Sequence, residues 1–173
     1  MESADRPDTM AAYYADVQWM PRPMGHPRPN GTRLHGPLPA SSANVSTVEL
    51  DVVLGRLKAG EAASADDVPP DFCKALRNQP DACEVVLDMC NNCWRHAAVP
   101  QNWRHPVVTA IFRKGDESLS DNFRPISLLA VGYKVLASLI LGRIAGSGVE
   151  NRLRDTQFGF RAKRSSTDAV FLM

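Results

Sequence analysis

No stretch of about 18 consecutive apolar residues occurs in the chain, which excludes a helix that spans a bilayer. The first 30 residues also lack the apolar core of a secretory signal. Cysteine is scarce, at four residues of 173, and without a secretory context these are expected to be reduced thiols rather than a disulfide framework. The chain is accordingly expected to be intracellular, nuclear or cytoplasmic, with no membrane partner. Aromatic residues contribute only 7%, yet a hydrophobic total of 44% can build a core if those residues lie together.

Proline is present but unevenly placed, with seven of the 13 before residue 40. Up to about Asn44 the chain mixes Pro, Gly, His, Arg and Ser with no helical or strand period. Such a segment buries too little to offset its chain entropy, so residues 1–44 are expected to be a disordered Pro-rich leader to a domain over residues 45–173. Charge is uneven as well, beneath a formal net charge of +1. Basic residues number 5 against 9 acidic ones from Glu49 to Trp103, and 11 against 5 from Arg104 to Arg164. A cationic surplus suits a polyanionic partner, because neutralising phosphates releases condensed counterions; a solvated face is the alternative.

Regular structure is expected from Ser46, where Ser-Thr-Val-Glu fits a capping box and Val48, Val52, Val53 and Leu57 recur at helical spacing as far as Gly60. Glu61 to Pro70 reads as a loop and Asp71 to Arg77 as a short helix stopped before Pro80. A longer helix follows, with Asp81 as cap, Glu84 three residues on, and an apolar stripe through Val85, Val86, Met89, Cys90, Cys93 and Ala97. His105 to Arg113 and Asn122 to Leu129 are β-branched and short, and the polar, Gly-containing link between them predicts an antiparallel hairpin. Val131 to about Ala145 is a helical stripe of Tyr133, Val135, Leu136, Leu139, Ile140 and Ile144, broken at Gly146 to Gly148. Ser165 with Asp168 caps a further helix.

Two constellations bear on chemistry. Arg113 and Lys114 lie at the expected hairpin tip, and Arg124 emerges from the returning strand at a similar height. Cations held on paired strands suit a triphosphate or a nucleic-acid backbone, whereas an exposed ribbon also carries Lys merely to discourage edge pairing; the residues alone leave both open. Cys83, Cys90, Cys93 and His96 have a spacing that can bind zinc. One continuous helix would hold them, and Cys90 and Cys93 coincide with its apolar stripe, so they are read as small buried hydrophobes. Trp94 and Trp103 are read as packing aromatics.

Five pieces then occur in order: Cys93-Trp94, Val99-Pro100-Gln101-Asn102-Trp103, Phe112 to Asp116 (FRKGD), Asn122 to Leu129 (NFRPISLL) with Tyr133-Lys134 and Arg143, and Gln157 to Thr167 beginning QFGFR. This ordered set resembles the reverse transcriptases of non-LTR (LINE-type) retrotransposons. The likeness runs from Ser46 to Met173 and is fullest from Cys93 onward. Upstream, where the family has K-A-x-G-x-D, Ser64 replaces the Gly and only Asp66 and Val68-Pro69 keep the pattern.

The resemblance implies an α+β fold, mostly helical with a small antiparallel fingers hairpin, forming the fingers and early palm of a truncated right-hand polymerase. It implies that Lys114 meets the incoming nucleotide's phosphates and that Arg124 lies along the nucleotide's base and phosphate. Arg113, Gln157, Phe158, Gly159 and Arg161 are implied to stand near template and nucleotide. The family's Mg2+ is held by aspartates that the resemblance sets beyond Met173, so no catalytic residue, metal ligand or cofactor is expected here. Asp168 reads as a charge at a helix N-terminus. Tyr13 to Val17 resembles the palm's YADD only superficially, since Val17 replaces the second Asp. The expected partners are an RNA or DNA template, a deoxynucleoside triphosphate, and a partner covering the apolar palm-docking surface. A non-enzymatic nucleic-acid or protein interaction domain on the same frame is the alternative.

Overall fold

The computed structural model describes residues 6–18, 37–161 and 163–171. Within the span expected to be a leader, Arg6–Tyr13 is helical (α1) and continues as a π-turn over Tyr14–Gln18, with Met10 and Tyr14 buried. Tyr13 and Tyr14 thus lie at a helix end, not in a strand-flanked turn, and Tyr13 donates its hydroxyl proton to Asp121. The rest of the leader's prolines up to Pro29 lie outside the described residues, Pro7 apart. Residues 37–44 have no regular element but are fastened to the body of the protein, as shown below.

Helix α2 (Thr47–Arg56) begins with the expected reciprocal cap. Ser46 Oγ accepts from Glu49 N–H at 3.3 Å and Glu49 Oε2 accepts from Ser46 N–H at 2.9 Å. Helices α3 (Pro70–Leu76) and α4 (Pro80–His96) each open on a proline, whose missing N–H costs nothing in a first turn. Here the expected cap is corrected: Gln79 is the capping position and Asp81 lies inside the helix, because Pro80 already supplies a helix-ready φ. The stripe of α4 is also shifted, with Val85 and Ala97 exposed and Cys90, Asn91 and Cys93 buried.

Strands β1 (Val107–Phe112) and β2 (Phe123–Leu128) form a two-stranded antiparallel sheet in which Val107 faces Leu128 and Phe112 faces Phe123. Helix α5 (Val131–Gly146) follows, and α6 (Ser166–Val170) is capped by Ser165 and Asp168 as expected. The fold class is therefore α+β, helical with one hairpin. The core joins Leu50, Val53 and Leu54 of α2, Cys73 of α3, Cys90 and Cys93 of α4, and Val131, Val135, Leu136 and Leu139 of α5, closed by Trp103 and Ala130. Among the described residues no helix is long and apolar enough to cross a membrane.

Two contacts tie the segments flanking the hairpin to this core. Trp103 lies over α5 at Gly132, where a Cβ would stand 2.2 Å from the indole ring, so only glycine admits the ring there. Ser64 donates its hydroxyl to the Leu128 carbonyl at 2.8 Å, tying the end of β2 to the loop before α3.

Candidate functional site

The hairpin tip is built by local rules. Arg113 N–H donates to the Asn122 carbonyl at 2.8 Å, one step beyond the regular ladder. Gly115 takes φ +97°, and Asn122 Nδ2 crosses the loop to the Asp116 carbonyl at 2.8 Å. The Asp116 carboxylate accepts from Ser118 N–H at 2.8 Å, and this bond holds its pKa below the ordinary carboxylate range. The Asp116 carboxylate is therefore spent on its own loop's backbone.

Strand alternation sorts the cations. Ile111 faces Arg124, so Arg113, two residues after Ile111, shares a face with Arg124 as its diagonal neighbour. The opposite face carries the Phe112–Phe123 pair, with ring centroids 5.3 Å apart. Arg113, Lys114 and Arg124 are exposed, and among the described residues no carboxylate pairs with any of them. The ribbon also exposes apolar side chains: Val107, Ile111 and Ile126 on the arginine face and Val108 and Phe112 on the other.

The QFGFR segment forms a separate structure. Arg161 is drawn inward, its side chain 10% exposed; Nε reaches Glu150 Oε2 at 2.9 Å, and Nη1 donates to the carbonyls of Arg154 and Gln157 at 3.1 and 3.2 Å. Gln157 Nε2 donates to the Gly159 carbonyl at 3.1 Å. Phe158 is half-buried beneath the Arg164 guanidinium, 5.8 Å from its ring centre. Phe160 adopts φ +61° and is fully exposed. A concavity of about 560 Å³ opens beside this turn, lined by Arg152, Arg154, Thr156, Gln157, Phe160 and Arg161 among others. The bonds of Gln157 and Arg161 run to residues 150–159, so these two are brought together with Gly159, while Arg113, Lys114 and Arg124 form their own group on the hairpin.

Other residues of the ordered motifs serve the frame. Arg143, whose side chain is 6% exposed, pairs with Glu49 at 2.8 Å and donates to the carbonyls of Ala43 and Asn44 at 2.6 and 2.9 Å, and its guanidinium lies 5.0 Å from the Trp94 ring centre. Trp94 Nε1 donates to the Ser42 carbonyl at 3.1 Å. Hydrogen bonding to Arg143 first, and to Ser46, brings the Glu49 carboxyl down to about 2. Asn91, buried, brackets Val45 by accepting from its N–H at 2.6 Å and donating to its carbonyl at 3.1 Å. Sequence reading saw Glu49 only as a cap and missed this junction; its partners are too far apart in sequence for any local pattern to connect them.

Cys90 and Cys93 lie in the core, and burial pushes the Cys90 thiol up to about 12 and raises that of Cys93. Packing explains both. Asp168 Oδ2 accepts from Ser165 N–H at 2.7 Å, which is the role of a helix cap. No family model matches the chain, and no curated protein sequence matches it.

Proposed function

We propose that these residues are the nucleotide- and template-gripping fingers, with the start of the palm, of an RNA-directed DNA polymerase of the non-LTR retroelement type. The observation that carries this reading is the hairpin tip. Arg113 and Arg124 share one face, Lys114 follows at the turn, and among the described residues none has a carboxylate partner. Converging cations on a ribbon, with the nearby Asp116 held by its own loop, suit a triphosphate or a nucleic-acid backbone.

In this reading Lys114 meets the nucleotide's phosphates and Arg124 lies along its base and phosphate, with Arg113 beside them. Gln157, Phe158 and Gly159 stand near the template. Arg161 acts by holding their turn in shape, because its guanidinium is already engaged by Glu150 and two carbonyls. In this reading no metal-holding role is assigned to the residues named here, so their part is binding rather than nucleotidyl transfer, in an intracellular setting where template is available.

Fluorescence anisotropy of a labelled single-stranded oligonucleotide, with competition by a deoxynucleoside triphosphate, tests the reading. Lys114→Ala and Arg124→Ala are each expected to weaken binding about tenfold at low salt, the size of one charge-assisted hydrogen bond. Unchanged affinity in both would overturn it, and nucleotide incorporation in a primer-extension assay would overturn the restriction to binding. The exposed Val107, Ile111 and Ile126 favour a second reading, a non-enzymatic interaction domain whose ribbon receives another macromolecule. Such a domain would not bind the free triphosphate.

A further inference from the structure

The two edges of the ribbon are not alike. Arg113 N–H donates to the Asn122 carbonyl, so these opposite residues form a hydrogen-bonded pair. In an antiparallel ladder such pairs alternate with pairs whose N–H and C=O groups point away from the neighbouring strand. Back from Arg113, then, Ile111, Thr109 and Val107 turn their backbone groups inward to β2, and Val108, Ala110 and Phe112 turn theirs outward. Opposite those three stand Ser127, Pro125 and Phe123, which line the outer edge of β2.

The β2 edge is closed to a further strand. Pro125 has no N–H to give, and the Phe123 N–H is already taken by the Ser120 carbonyl. The β1 edge carries neither device. Val107–Phe112 contains no proline and no charge, and among the described residues no hydrogen bond reaches the outward groups of Val108, Ala110 or Phe112. Every residue of β1 except Ala110 is exposed. An apolar, β-branched edge without Lys or Pro is a template for pairing. A lone two-stranded ribbon, moreover, falls short of the three strands that independent stability needs.

The geometry points to β1 as a self-pairing edge that joins a second copy of this chain, antiparallel, about a two-fold axis at Ala110. In this register the outward residues of each copy meet those of the other, exchanging about six hydrogen bonds. Val108 faces the partner's Phe112 on one side of the sheet and Thr109 faces the partner's Ile111 on the other, so aromatic and β-branched side chains pair across the join. Charge favours the same arrangement. Antiparallel copies carry their Arg113 and Lys114 tips to opposite ends of the sheet, whereas parallel ones would bring like charges together. The new outer edges are those closed by Pro125, so growth stops at four strands, a closed dimer rather than a fibre.

Sedimentation equilibrium of the full chain over a concentration series, without nucleic acid, tests this. The mass is expected to rise from one chain to two and to stop there. Ala110→Pro leaves the β1–β2 ladder intact, because that N–H faces outward, and is expected to raise the dissociation constant about tenfold or more through the bonds lost at the axis. Val108→Lys acts in the same direction by charging the edge, while Ser127→Pro, the matching change on the closed edge, leaves the constant unchanged. Circular dichroism and thermal melting establish that each variant is folded. Hydrogen exchange of the wild type gives a second readout: in dilute protein the ribbon stands alone and exchanges early, and the amides of Val108, Ala110 and Phe112 slow as the dimer fills while that of Ser127 does not. A monomer throughout, a dimer undisturbed by Ala110→Pro and Val108→Lys, or growth beyond two copies would overturn the inference. Since no nucleic acid is present, failure of the oligonucleotide titrations removes the fingers reading and leaves this one standing.

Discussion

Glycine appears twice on α5 in opposite circumstances. At Gly132 an added methyl group meets the Trp103 ring, which cannot retreat from a packed core, whereas at Gly142 nothing lies within 4 Å. Gly132→Ala is therefore expected to cost about 1–3 kcal/mol and Gly142→Ala to add about 0.5–1 kcal/mol, both read from urea midpoints. Equal midpoints for the two would mean that Trp103 does not dock on α5 as described. Glu49 offers a second test at the same scale. Its folded pKa of about 2 lies below the ordinary 4.5, so its ion pair with Arg143 stabilises fully above the ordinary value and is lost as pH falls from about 4.5 towards 2. Urea midpoints at pH 5 and pH 3 should differ more in the wild type than in Glu49→Gln. An identical decline in both proteins would place the acid sensitivity elsewhere.

Among the elements the hairpin and α5 differ most in support. Among the described residues, strands β1 and β2 pair only with each other and expose apolar residues on both faces, while α5 buries Val131, Val135, Leu136 and Leu139. A two-stranded ribbon is marginal by itself. Hydrogen exchange is accordingly expected to reach Val107–Leu128 well before Val131–Leu139, and comparable protection would show the ribbon to be stabilised by more than its own ladder. These elements were readable in the sequence because their signals are local. The expected strands, His105 to Arg113 and Asn122 to Leu129, contain β1 and β2, and the capping boxes at Ser46 and Ser165 form as spelled. The failures have physical causes too. Asp81 matched the cap pattern, but Pro80 took the first helical position. The left-handed Phe160 follows from a clamp made by Arg161, whose partners are set by tertiary approach and not by spacing. The same holds for Arg143 and Glu49, 94 residues apart.

At the scale of the whole molecule, the ribbon tip gathers Arg113, Lys114 and Arg124 with no carboxylate partner among the described residues. A strand engaging all three neutralises more phosphates than one engaging a single cation. Each cation removed from a phosphate contact should then lower the slope of log affinity against log salt by about 1, measured by titration at several salt concentrations with Lys114→Ala and Arg124→Ala singly and together. A double variant whose slope equals that of either single one would mean that the two residues do not contact the same bound strand. The junction at Arg143 also decides where the folding unit begins. Ala43 and Asn44 give their carbonyls to that guanidinium, Ser42 gives its own to Trp94, and Pro37 gives its own to Arg152, so a stretch without helix or strand acts as a strap across α4 and α5. A protein shortened to start at Val45, where regular structure is about to begin, is expected to be less stable by about 2 kcal/mol or more than one shortened to start at Pro37, through the loss of those charge-assisted bonds. For anyone trimming this protein for crystallisation or expression, eight residues of irregular backbone separate a sound domain from a frayed one.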